Sequence, residues 1–90
     1  MRQTTFRFEL RILSNDPQST LDAIKSRLEE VKGVKEVRLC FIGDGAEMNV
    51  EVAFATKEDA KVLHHKVMKS LIANQEIRIN EASSVLTDVF

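Results

Sequence analysis

Between Thr5 and Ile12 the chain alternates strictly: Phe6, Phe8, Leu10 and Ile12 are separated by Arg7, Glu9 and Arg11. A period of two marks a strand with one face in a core and one in water. The same period returns on either side of Gly43-Asp44-Gly45, with Val37, Leu39 and Phe41 before the glycines and Met48, Val50, Val52 and Phe54 after them. Glycine and aspartate tolerate the backbone angles of tight connections, so Val34 to Phe54 is expected to be a β-hairpin at the centre of the fold.

Elsewhere the apolar positions change to helical spacing. Leu21, Ile24, Leu28 and Val31 form one stripe, while Asp22, Lys25, Arg27, Glu29 and Glu30 lie outside it. Asp16 as N-cap and Pro17 at the first helical position supply the start, and Gly33 is expected as a left-handed cap after a helix ending near Lys32. A second helix is expected from the N-cap Thr56, with Asp59 three residues on, to about Ala73, its stripe made of Ala60, Leu63, Val67 and Leu71. Glu76 to Ile79 gives a short last strand with Ile77 and Ile79 inward. Beyond it, Ala82, Val85, Leu86, Val89 and Phe90 fit either helical spacing or an extended edge strand.

The order strand, helix, strand, strand, helix, strand predicts one ferredoxin-like α+β domain over residues 1–90, with a four-stranded antiparallel sheet and both helices on one face. The other face would carry Arg7, Glu9 and Arg11, then Glu36, Arg38, Cys40 and Ile42, then Glu47, Asn49, Glu51, Ala53 and Ala55. Cys40 and Ile42 on that face suggest a cover, and a homodimer or higher homo-oligomer is expected to provide it.

Charge adds exclusions. A net charge of -1 with 30% charged residues gives no field to draw nucleic acid or an anionic membrane. No run approaches the ~20 apolar residues of a membrane span, and the alternating start does not fit a signal peptide. The single cysteine, Cys40, cannot form an internal disulfide, so a cytoplasmic protein is expected.

Candidate chemistry is thin. His64 and His65 are adjacent on a helix and point about 100° apart, which disfavours joint chelation. The loop Ser14-Asn15-Asp16-Pro17-Gln18 lacks the Cys-x-x-Cys of ferredoxin-like metal carriers. Cys40, on a strand, lacks the helix N-terminus that activates a thiol. Gly43-Asp44-Gly45 has neither the lysine nor the strand-to-helix context of a phosphate loop. Neither a catalytic set, a metal site nor a cofactor is expected.

Asp16-Pro17-Gln18, Val37-Arg38-Leu39 and the run from Leu71 to Ile77 (Leu-Ile-Ala-Asn-Gln-Glu-Ile) together resemble the PurS-type small subunit of phosphoribosylformylglycinamidine synthase. The resemblance implies a non-catalytic, oligomeric adaptor of purine biosynthesis that bridges a large synthetase and a glutaminase, with Arg38, Gly43, Asp44 and Asn74 as partner or interface residues. Two features depart from that family: its Gly-Lys after the strand-two arginine is absent, and its Asn-Pro is Asn74-Gln75 here. The Gly33-Val34-Lys35-Glu36-Val37 run also resembles ferredoxin-like regulatory modules, including the cytoplasmic domain of cation-diffusion-facilitator transporters. That likeness implies the alternative of a dimeric module binding a small ligand or a metal ion.

Overall fold

A computed structural model describes residues 3–43 and 46–89. The elements run β1 (Gln3–Ile12), α1 (Pro17–Glu29), β2 (Val34–Phe41), β3 (Glu47–Phe54), α2 (Lys57–Ile72) and β4 (Ile77–Val89). The strands form one antiparallel sheet in the order β2-β3-β1-β4, which is the ferredoxin-like arrangement.

Alternation decides which side of the sheet meets the helices. Phe6, Phe8, Leu10 and Ile12 of β1 and Met48, Val50, Val52 and Phe54 of β3 are all buried. They pack with Ile24 and Leu28 of α1 and with Ala60, Val67 and Leu71 of α2 in one hydrophobic cluster. Burying each large side chain contributes about 1.5–3 kcal/mol, so the two central strands dominate the stability of the sheet. Leu39 is only half-buried and Phe41 is exposed, in keeping with the place of β2 at the edge of the sheet.

Both helix starts follow their capping residues. The Asp16 carboxylate accepts the Ser19 N–H at 3.2 Å, and Thr56 Oγ1 accepts the Asp59 N–H at 3.0 Å. The end of α1 differs from expectation. The helix stops at Glu29, and a turn carries the chain through Val31, whose carbonyl accepts the Val34 N–H, to Gly33 at φ +102. Gly33 thus serves the entry into β2 rather than the helix cap, and its carbonyl accepts the Ala55 N–H at 2.9 Å.

The last strand is the larger correction. It covers thirteen residues, Ile77–Val89, so the short strand expected to end at Ile79 continues, and the segment beyond it takes the extended edge-strand alternative and not the helical one. Its pairing with β1 shifts register between Arg7 and Glu9: Glu9 faces Asn80 and Arg7 faces Val85, so residues 81–84 of β4 bulge out opposite Phe8. Ser83 repairs the ladder there. Its Oγ accepts the Glu9 N–H at 2.7 Å and donates to the Asn80 carbonyl at 2.6 Å. Phe90 and Asp44 lie outside the described residues.

Candidate functional site

With the helices on one side, the other side of the sheet is open, and the strand registers fix its layout across β2, β3, β1 and β4. One row reads Glu36, Ala53, Thr5, Thr87; the next reads Arg38, Glu51, Arg7, Val85; the third reads Cys40, Asn49, Glu9, Asn80. A fourth row sets Glu47, Arg11 and Arg78 side by side, with Ile42 donating its N–H to the Glu47 carbonyl. Alternation between inward isoleucines, Ile77 and Ile79, is the sequence signal that puts Arg78 and Asn80 on this face, and the sequence reading had passed over both.

Ion pairs hold the upper part of the face. Arg7 Nε lies 3.6 Å from Glu51 Oε1, and Arg38 Nε donates to Glu36 Oε1 at 3.1 Å. The hydrogen bond to Glu36 holds the Arg38 guanidinium above its ordinary value, helped by the charges of Glu36 and Glu51, with slight desolvation opposing. These groups are solvent-exposed, so their main effect is to order side chains rather than to stabilise the fold. The depression between Thr5, Glu36, Arg38, Glu51 and Ala53 has a volume of about 30 Å³, room for a water but not for a ligand.

The lower part of the face is different. Below the β4 bulge a cleft of about 350 Å³ is lined by Glu9, Arg11, Glu47, Arg78 and Asn80, with Leu10 and Ile79 on the strands between them. Among the described residues neither Arg11 nor Arg78 is in an ion pair. A second cleft, about 490 Å³, lies on the helix side between α1 and the end of α2, lined by Ala23, Ile24, Arg27, Leu71, Ala73, Asn74, Gln75 and Glu76. Two of its polar residues, Asn74 and Glu76, are already engaged. Thr20 Oγ1 donates to Glu76 Oε2 at 3.3 Å; a hydroxyl has one proton, so Ser14 Oγ, 2.6 Å away, is the donor to Thr20. The Glu76 carbonyl accepts the Leu13 N–H and its own N–H goes to Asn74 Oδ1 at 2.9 Å.

The four residues expected at a partner surface are scattered. Arg38 is on the open face beside Glu36, Gly43 is in the β2–β3 turn at φ +65 with open space around it, and Asn74 is in the α2–β4 turn on the other side. Asp44 is outside the described residues. No described cleft is lined by more than one of them. Cys40 is exposed on the open face and the sheet separates it from α2, so the histidines do not approach it. His64 and His65 do not point apart as helical geometry alone suggests; their rings bend together to 3.9 Å between centroids. His64 Nδ1 lies 2.8 Å from the Ala60 carbonyl, which can only accept, so that nitrogen carries the proton, and the ring packs on Phe6. Among the described residues no three His, Cys, Asp or Glu side chains are grouped to hold a metal ion, and no described helix is long and apolar enough to cross a membrane.

Fold and open face define a small ferredoxin-like α+β protein with a charged, uncovered sheet. No protein-family model and no curated protein matches the sequence. Solved structures do match. They include protein YJCS, with a TM-score of 0.59 and 8% identity over 98% of this chain and 97% of that one. Another is a Bordetella bronchiseptica protein described as a candidate antibiotic biosynthesis monooxygenase, with a TM-score of 0.58 and 8% identity over 100% and 97%. A third is Rv0793 from Mycobacterium tuberculosis, with a TM-score of 0.53 and 13% identity over 100% and 94%. At such identities the likeness establishes the fold.

These findings overturn the purine-synthase reading. Its small subunit is matched neither by family comparison nor by these neighbours. The motifs that carried the resemblance have local explanations: Asp16-Pro17 starts a helix, Val37-Arg38-Leu39 alternates on an edge strand, and Asn74 closes the turn between α2 and β4. Each has a local role in this fold, and the bridging of a synthetase and a glutaminase loses its support with them.

Proposed function

We propose that this chain is a small-molecule-binding domain whose site is the cleft between β1 and β4 on the open sheet face. The observation that carries the reading is the cleft itself: about 350 Å³, within the range of small-ligand pockets, with charged and amide groups converging beside a strand bulge. The helix-side cleft is larger, but its glutamate and asparagine are committed to the turn that closes it. One structural neighbour is described as a candidate monooxygenase, and a monooxygenase acts on a substrate molecule, so a ligand-holding use of this fold supports the same reading.

A homodimer over the open face accompanies this proposal. Arg7, Arg11, Arg38 and Arg78 balance Glu9, Glu36, Glu47 and Glu51, and a twofold interface requires such self-complementarity. Four strands ~4.8 Å apart and eight residues long at ~3.3 Å each give a face of roughly 500 Å². That is below the ~800 Å² per partner of a standard interface, so the pair is weak and concentration-dependent. Exposed Val85 and Ile42 would gain cover, and the partner would roof the cleft.

The test is a thermal-shift panel of small metabolites, with hits repeated on Asn80→Trp, which fills the cleft. Ligand at one hundred times its Kd should stabilise the wild-type protein by about 2.7 kcal/mol. Loss of the shift in the variant supports the cleft; hits that survive the substitution contradict it.

A further inference from the structure

Resting on the cleft reading, we infer that the ligand is a small organic carboxylate, held through its oxygens by Arg11 and Arg78. These two arginines stand directly opposite each other in the β1–β4 ladder. Like charges in that position repel and destabilise a sheet. Arg11 has acidic neighbours, Glu47 across the strand pair and Glu9 two residues back on the same face. Arg78 has none directly across the ladder or beside it on its own strand: β4 is an edge strand, Arg11 stands opposite and Asn80 follows on this face, and its nearest acid in the ladder, Glu9, is a diagonal neighbour. Both arginines line the cleft, and neither is in an ion pair among the described residues. An anion seated between them removes the repulsion and supplies the missing partner.

The surroundings select the kind of anion. Glu9 and Glu47 line the same cleft, so its charges sum to zero, and a single negative charge can bind the arginine side without a large excess. A phosphate dianion would bring its second charge against the two glutamates. A carboxylate is planar, and its two oxygens match the fork of a guanidinium. The Asn80 amide adds a neutral donor or acceptor at the rim, suited to a hydroxyl or carbonyl on the ligand.

Amide chemical-shift titrations of the whole chain with benzoate, benzamide and phenyl phosphate test this, on the wild-type protein, Arg78→Gln and Arg78→Lys. Arg78 is exposed, so both variants should fold, and the spectrum checks that they do. Benzoate should shift the amides of residues 9–11 and 78–80 and bind more tightly than the other two. Arg78→Gln should weaken it about tenfold, the scale of one lost charge-assisted hydrogen bond, and Arg78→Lys should recover part of that. Equal binding of benzamide, with Arg78→Gln silent, overturns the charge assignment and leaves the cleft as a neutral site. Tighter binding of phenyl phosphate overturns the choice of carboxylate. If none of the three shifts these amides, the cleft reading falls as well.

Discussion

Gly33 is the residue with the least freedom to change. It sits at φ +102, and a Cβ there would come within 2.6 Å of Leu63 Cδ1 and 3.3 Å of Asp59 Cγ. Gly33→Ala should cost about 2 kcal/mol in urea unfolding, from backbone strain and a displaced Leu63. Gly43, at φ +65 with nothing nearby, should cost only about 1 kcal/mol for the same change. Phe8, with 0% exposure, is the deepest large side chain of β1, and Phe8→Ala should cost about 3–5 kcal/mol, a large part of a small domain's total. Arg38 has no such leverage. Its pKa is raised from an already strongly basic value, and stability tied to a raised pKa is lost only as pH rises through the folded-state value, so stability should be flat in pH over the working range on its account. Gly33 could be read from the sequence as a left-handed position, although its task was misassigned, whereas Thr20 could not be read. A threonine between Ser19 and Leu21 gives no sign that it will be buried against Glu76, because that contact joins residues 56 positions apart.

Among the elements, the strands with strict alternation were legible because one-sided burial writes itself into a period of two, as in β1 and β3. The helix starts were legible because a cap is local: Thr56→Ala should cost about 1 kcal/mol through the Asp59 N–H it leaves bare. The length of β4 was not legible. Residues 81–84 interrupt the alternation, and a bulge opposite Phe8 depends on a partner strand that is distant in the sequence. Ser83 is what makes the interruption tolerable. Ser83→Ala should cost under ~1 kcal/mol, since water can reach the exposed Glu9 N–H, yet hydrogen exchange at that amide should accelerate clearly. Unchanged exchange would mean that the Ser83 contact does not hold the bulge. The candidate cleft is not legible in the sequence for the same reason: Arg11 and Arg78 become neighbours only through the β1–β4 register.

At the scale of the molecule, the two sheet faces have different tasks. The covered face contains the hydrophobic core, and the open face presents balanced charges around a cleft. The expectation of a ferredoxin-like fold held because element order and periodicity are enough to define it; the expectation of a purine-synthase subunit failed because its short motifs, at a helix start, on an edge strand and in a turn, have local structural explanations. Sedimentation at high micromolar concentration should show a dimer that Arg38→Glu and added salt both dissociate, since each disturbs the charge balance across the face. A monomer throughout would remove the dimer and leave the cleft to be judged alone. That judgement is made most directly by soaking crystals of the whole chain with a panel of small acids, amides and amines and locating what binds. Ligand density should lie between β1 and β4, in contact with Arg11 and Arg78. Occupancy confined to the helix-side cleft beside Asn74 and Glu76, or an empty open face across the panel, would contradict it.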